Sequence, residues 1–167
     1  MASSELAPGY DLQPAWRLGD RQIEADAVAF WNRLGILPAE VKAEERAREL
    51  AAVAYHDGRI VGVQTAVPAR LDIVRARLAM VRSAVDPEHR RSHVGMALAV
   101  FARDLLEQWS KDHPEERLAG LGAVIEGPNL FERAREPFWP QTRFGVVGYM
   151  PDGRQIRVSW FEHHRLD

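Results

Sequence analysis

The residues best suited to chemistry lie between Met80 and Leu98, in the run M-V-R-S-A-V-D-P-E-H-R-R-S-H-V-G-M-A-L. A β-prone stretch ends at Val85, a basic turn follows, and a helical pattern opens near Val94 with a glycine in its first turn. The first backbone N–H groups of a helix have no partner within it and sit at the positive end of its dipole. Such a terminus attracts anions, and the guanidiniums of Arg90 and Arg91 would extend it to a diphosphate. Gly95 lets a ligand approach the backbone with no Cβ in the way.

The pattern V-x-P-x-x-R-x-x-x-V-G-x-A-L, from Val85 to Leu98, resembles motif A of the Gcn5-related N-acetyltransferases (GNAT). The resemblance implies that the pyrophosphate of acetyl-CoA lies against the backbone of Arg90, Arg91, Ser92, His93, Val94 and Gly95, with Met96 beside it in the same helical turn. It also implies that Ser83, Ala84 and Val85 pair with the pantetheine arm like an added strand. A backbone N–H of that strand would meet the charge developing on the thioester carbonyl oxygen. The chain departs from the motif at His93, which stands where the family usually carries glycine.

A second segment runs from Asn129 to Phe144. In the family an Asn in this place contacts the cofactor arm, and Asn129 matches it. The family's tyrosine, which protonates the departing thiolate, corresponds here to Trp139, and its glycine to Arg143. Indole N–H is no useful proton donor. A CoA thiol, titrating like a free thiol at about 8.5, leaves as thiolate with little help. Tyr149 is the substitute donor. An attacking ammonium has no lone pair, so a base must first take its proton. Glu126, closing the apolar run Leu118 to Ile125, is the first candidate, and Glu49, at a helix-to-strand junction, the second.

These residues point to an acyl-CoA-dependent N-acyltransferase that moves acetyl from acetyl-CoA to an amine by direct attack. Such a reaction needs no covalent enzyme intermediate, in keeping with a chain that has no cysteine. Trp139 and His93 motivate an alternative, a non-catalytic acyl-CoA-binding module. A third reading, a cofactor-free protein-interaction domain, requires the motif to be coincidence. The acceptor amine has no readable signature. Glu40, Glu44 and Glu45 suit a cation, but acids leading a helix are ordinary dipole design.

Other constellations carry less. His89 and His93 are four apart, yet Arg90 and Arg91 lie between them with no carboxylate, so no metal site is expected. Gly120-Leu121-Gly122 lacks the third glycine of a dinucleotide fingerprint and reads as the inside of a strand. His163 and His164 read as a solvated end, and Trp31, Trp109 and Trp160 as core.

Composition bounds the rest. The chain has 167 residues, 22 basic and 24 acidic, for a net charge of −2. A chain of this length buries about 70% of its unfolded surface and needs no metal or disulfide to fold. The charges are mixed in sign, so no nucleic-acid partner is expected. No apolar run is long enough to span a membrane, and no secretory leader is visible, so a cytoplasmic protein is expected.

The elements that must position these residues follow from periodicity. A short strand is expected over Leu12 to Leu18. Asp20 caps a helix on Ile23, Ala27, Trp31 and Leu34 that ends at Gly35, and Pro38 opens a second through Arg48. Asp57-Gly58 turns a hairpin whose second strand runs towards Val67, where Pro68 ends regular pairing. Further strands are expected at Leu78–Val85 and Leu118–Ile125. A long helix carries the stripe Val94, Leu98, Phe101, Leu105 and Trp109, and a short one runs from Gly127 to Arg135. A last hairpin pairs Phe144–Tyr149 with Gln155–Phe161 around Asp152-Gly153. The fold class is α/β: a single GNAT-like domain with a central mixed, mostly antiparallel sheet flanked by helices. Residues 1–10 read as a loose leader, 11–162 as the acetyltransferase-like domain and 163–167 as a tail. Val158 to Phe161 is read as an edge on which a second copy, making a homodimer, would pair.

Overall fold

A computed structural model describes residues 6–126 and 134–164. Asp57 and Gly58 both take positive φ (49° and 75°), the backbone that a two-residue hairpin demands, and they join β2 (Leu50–His56) to β3 (Arg59–Leu71). β1 (Tyr10–Pro14) pairs antiparallel with β2, so the strand begins at Tyr10 and ends at Pro14, ahead of the expected Leu12–Leu18. α1 (Arg21–Leu34) starts where Asp20 Oδ1 accepts the N–H groups of Gln22 and Ile23 at 2.9 and 3.1 Å, and stops at Gly35 with φ 60°. α2 is shorter than expected, Ala43–Ala47. Pro38 opens only a turn, closed by Val41 N–H on Pro38 O at 2.9 Å, and the chain re-enters helix five residues later.

β3 runs through Pro68 to Leu71. Its pairs with β2 stop at Thr65, and Ala66 N–H bonds Glu49 O just beyond, so the N–H that Pro68 lacks is not needed by β2. β4 spans Ala76–Val85, α3 Val94–Asp112 and β5 Leu118–Val124. A two-residue β6 (Phe138–Trp139), not foreseen, precedes β7 (Phe144–Tyr149) and β8 (Gln155–Trp160). The expected helix from Gly127 lies almost wholly outside the described residues. The described strands form one sheet in the order β1-β2-β3-β4-β5-β8-β7-β6. β4 and β5 run parallel, while β1–β2, β2–β3, β5–β8, β7–β8 and β6–β7 are antiparallel. No described helix is long and apolar enough to cross a membrane.

The chain packs as two compact units. The first holds residues up to Ala66 together with Arg82–Leu106. On one face of β2 and β3, Leu50, Val53, Ile60 and Val63 bury against Ile23, Ala27, Phe30 and Trp31 of α1. On the other, Ala52, Ala54 and Val61 meet Val94, Leu98 and Ala102 of α3. The buried stripe of α3 is therefore Val94, Leu98, Ala102 and Leu106, while Phe101, Leu105 and Trp109 are only half-buried. Counting only large apolar residues misplaced it, because alanine holds one position of the true stripe.

The second unit holds Val67–Val81 and Glu107–Asp167. Its core joins Ala76, Leu78, Ala119 and Val158. Gly120 lies inside β5, where a Cβ would collide with Ser159 O of β8, and a Cβ on Gly122 would meet Met80 Sδ at 2.5 Å. These glycines serve close packing of strands. Of the histidines near the C-terminus, His163 is exposed as expected, though its Nε2 lies 3.1 Å from the buried Ser110 hydroxyl, whereas His164 is half-buried and stacks on Trp160. Nor is Val158–Phe161 an edge. β8 is paired on both sides, with β5 and β7, so it offers no free strand to a second copy.

Candidate functional site

The sequence D-P-E at Asp86–Glu88 builds the turn on which the expected anion site would depend. Asp86 Oδ1 accepts Glu88 N–H at 3.0 Å, and Asp86 O accepts His89 N–H at 2.9 Å, winding Pro87–Ser92 into a 3₁₀ turn. Ser92 Oγ donates to His89 O at 2.5 Å. His93 then takes φ 63°, and Ala97 N–H to His93 O at 3.1 Å is the first bond of α3. The N–H groups of Val94, Gly95 and Met96 precede that bond; Val94 N–H faces Ser92 Oγ at 3.4 Å. A Cβ on Gly95 would lie 3.2 Å from Val85 Cγ2. Arg90 and Arg91 are exposed, and neither enters an ion pair among the described residues. Two free cations, three N–H groups and a bare Cα therefore share one helix terminus.

His93 and Arg143 stand where the family pattern carries glycine, and both have left-handed backbone, φ 63° and 57°. The backbone keeps the glycine conformation without the glycine, at a cost of about 1–2 kcal/mol for each side chain. At His93 this left-handed backbone joins the 3₁₀ turn to α3.

Side chains from elsewhere in the first unit grip this turn. Arg33, near the end of α1, places Nη1 2.6 Å from Asp86 Oδ2 and Nη2 3.2 Å from Ile60 O. A bulge in β3 leaves Val61 opposite no residue of β2, and its carbonyl accepts Asp86 N–H at 2.8 Å. Burial pushes the Asp86 carboxyl up. The Arg33 guanidinium and the Glu88 amide outweigh it and hold the group below its ordinary value. Tyr10 at the start of β1 puts its hydroxyl 2.7 Å from His89 Nδ1, and His56 packs against both rings. α1 is itself moored to β2 by Tyr55 Oη donating to Asp26 Oδ2 at 2.6 Å; burial, then Asp26, pushes that phenol up.

The expected pantetheine-binding strand, Ser83–Val85, ends β4. Ser83 is exposed and donates to Oε1 of the buried Gln64 at 3.0 Å, while Ala84 and Val85 are half-buried. Gln64, Arg33, Asp86 and Tyr10 escaped the sequence reading. Asp-Pro before a turn is a capping signal that would have found Asp86, whereas nothing local marks the other three.

The candidate proton-transfer residues belong to the second unit. Glu126 is exposed and pairs with Arg154 Nη1 at 2.7 Å, and Arg154 also bonds Asp152 at 2.8 Å. Tyr149 is 63% exposed at the end of β7. Trp139 is buried beneath the guanidinium of Arg157, 3.8 Å from its ring centroid. Arg157, fully buried, bonds Gln155 Oε1 at 2.6 Å and the carbonyls of Ala134 and Glu136. Glu49, in the first unit, pairs with Arg46 at 3.1 Å. Asn129 lies outside the described residues. No group of three or more metal-ligating side chains occurs among the described residues.

No protein-family model matches the chain, and no curated protein matches it. Solved structures do match its fold. The ribosomal-protein-S18-alanine N-acetyltransferase of Escherichia coli superposes with a TM-score of 0.59 at 16% identity, covering 94% of this chain and 99% of that one. A GNAT-family acetyltransferase from Streptococcus pneumoniae gives 0.58 at 14%, covering 89% and 96%. The Salmonella typhimurium protein yncA, solved with its cofactor acetyl-CoA, gives 0.56 at 16%, covering 95% and 97%. The chain has the GNAT acetyltransferase fold, a mixed α/β sheet flanked by helices.

Proposed function

We propose that this protein is an acyl-CoA-dependent N-acyltransferase that transfers acetyl from acetyl-CoA to an amine. The observation that carries the reading is the N-terminus of α3: N–H groups ahead of the first helical bond, Gly95, and the cations Arg90 and Arg91, which enter no ion pair among the described residues. A diphosphate fits that chemistry, and the GNAT fold with a neighbour solved with acetyl-CoA supports acetyl-CoA as its bearer. In this reading the pyrophosphate lies along Arg90–Met96, the pantetheine arm pairs with Ser83–Val85, and Asn129 contacts the arm. That two neighbours are N-acetyltransferases by name or family supports an amine acceptor.

The reaction is direct. A base, Glu126, takes a proton from the acceptor ammonium. The freed nitrogen lone pair bonds the thioester carbon, the C–S bond breaks and the sulfur leaves as thiolate; the nitrogen, cationic once bonded, sheds a second proton, and the thiolate takes one from Tyr149, which that second proton restores. The amide and free CoA are the products. A binding module without turnover is the second reading, favoured by Trp139, which stands in the place of the family's tyrosine and lies buried under Arg157.

Calorimetric titration with acetyl-CoA, with free CoA for comparison, tests the cofactor site. Saturable one-site binding is expected. Thiol release over a panel of amines then separates the two readings: turnover supports the enzyme, binding without turnover on any amine the module. No binding by folded protein overturns both.

A further inference from the structure

We infer that Arg33 and Asp86 form a brace that sets the diphosphate affinity of the turn, making them positioning residues for the cofactor; this rests on the reading that the turn holds a diphosphate. Every polar atom of Asp86 has a partner, and two of those partners belong to the turn. Its Oδ1 and its carbonyl take the first two N–H groups of the 3₁₀ turn, from Glu88 and His89, and its own N–H goes to Val61 O. Only Oδ2 is left, and Arg33 occupies it at 2.6 Å. The side chain of Asp86 is 4% exposed while that of Arg33 is 35% exposed, so the pair reaches from the surface of α1 to a buried carboxylate. The second guanidinium nitrogen of Arg33 bonds Ile60 O, and Asp86 N–H bonds the next carbonyl, Val61 O. Both carbonyls belong to the bulge of β3. The bulge therefore gives the pair a fixed base, and the pair fixes where the turn begins.

This arrangement does more than hold a loop. A turn bearing Arg90 and Arg91, at the positive end of a helix, repels itself when no anion is bound. Arg33 balances the charge of the buried carboxylate that holds the turn, so Asp86 does not draw on Arg90 and Arg91, which stay available to the ligand. Removing Arg33 would leave Asp86 a buried, unbalanced anion that competes for those cations. Removing the charge of Asp86 would loosen the first turn and release Arg33.

The test compares two ligands. Acetyl-CoA has the diphosphate; S-acetylpantetheine carries the same thioester and arm without it. Wild-type protein, Arg33→Met, Asp86→Asn and the double variant are titrated with each. Each single variant is expected to lose about tenfold in affinity for acetyl-CoA, the scale of one charge-assisted hydrogen bond, with S-acetylpantetheine binding unchanged. The double variant is expected to be no worse than the poorer single one, because the residues act through each other. Equal losses for both ligands would mean a merely structural role and overturn the brace, as would unchanged acetyl-CoA binding. If Asp86→Asn fails to fold, Arg33→Lys carries the test. Its ammonium lacks the planar fork with which Arg33 meets Asp86 and Ile60 O, so an intermediate loss confined to acetyl-CoA is expected. A wild type that binds no acetyl-CoA overturns the functional reading, and the brace as a cofactor device with it. Normal wild-type binding with unaffected variants overturns the brace alone.

Discussion

The turn Pro87–Ser92 and the hairpin around Asp152-Gly153 are both short and polar and both involve arginine–carboxylate pairing, yet they are held in opposite ways. At the turn the carboxylate is buried and its arginine is anchored to a strand carbonyl. At the hairpin Arg154 spans Asp152 and Glu126 with every partner in solvent: the side chains are 41%, 55% and 54% exposed. Exposed pairs of this kind contribute about 0–1 kcal/mol each, so Arg154 can let Glu126 go at little cost. The contrast suits the proposed roles. A diphosphate site benefits from being formed before its ligand arrives, whereas a proton acceptor must be able to change partners.

The sharpest way to break this comparison is Gly95→Glu. A carboxylate at the helix terminus opposes the ligand's charge, and its Cβ would press on Val85 Cγ2. Acetyl-CoA binding is expected to fall by about 100-fold or more, read by calorimetry on folded protein. Unchanged binding would put the diphosphate elsewhere. Glu126→Gln probes the other side. If Glu126 is the base, kcat should drop by about 100-fold while acetyl-CoA affinity holds; an unaltered kcat would assign Glu126 to the surface pair alone.

Acid separates the two carboxylates next. Asp86 is held below the unfolded value of about 3.9, so its contribution to stability is complete above that value and is lost as pH falls through its folded pKa. Asp86→Asn should therefore flatten the fall in stability below about pH 4 in denaturant titrations. Asp152 is also lowered, chiefly by the backbone N–H of Arg154 and also by that residue's guanidinium, but it is solvated, so Asp152→Asn should leave the acid limb nearly as it was. The smallest effect concerns the two left-handed residues. His93→Gly is expected to stabilise by about 1 kcal/mol by removing backbone strain. Arg143→Gly should gain less, because it also forfeits the 2.6 Å contact with Glu162. Urea unfolding of both variants measures the difference.

The turn Pro87–Ser92 was legible because its backbone is locally dictated: the spacing of Pro87, Arg90 and Gly95 alone describes a turn entering a helix. Asp20, Gly35 and Asp57-Gly58 were legible for the same reason, as each dictates its own backbone. The residues that hold the turn were not. Arg33 is 53 positions from Asp86 and Tyr10 is 79 from His89, and no pattern within a window links them. Helix α3 misled in another way. Its first half buries Val94, Leu98 and Ala102, but its second half buries Arg103, Glu107 and Ser110, which a count of apolar residues assigns to solvent. β8 was misjudged as an edge because strand order, unlike strand identity, is set by pairings far apart in the chain.

The buried indoles give the molecule an optical property. Trp31 sits in the α1 core of the first unit, 4% exposed, and Trp139 in the second, 8% exposed, with a guanidinium against its face. With Trp16, Trp109 and Trp160 replaced by Phe, each unit keeps one of these two indoles, and an apolar wall and a cation perturb their emission differently. The chain thus holds two internal clocks of its own unfolding. Whether they strike together is a direct measure of how cooperatively the two units melt.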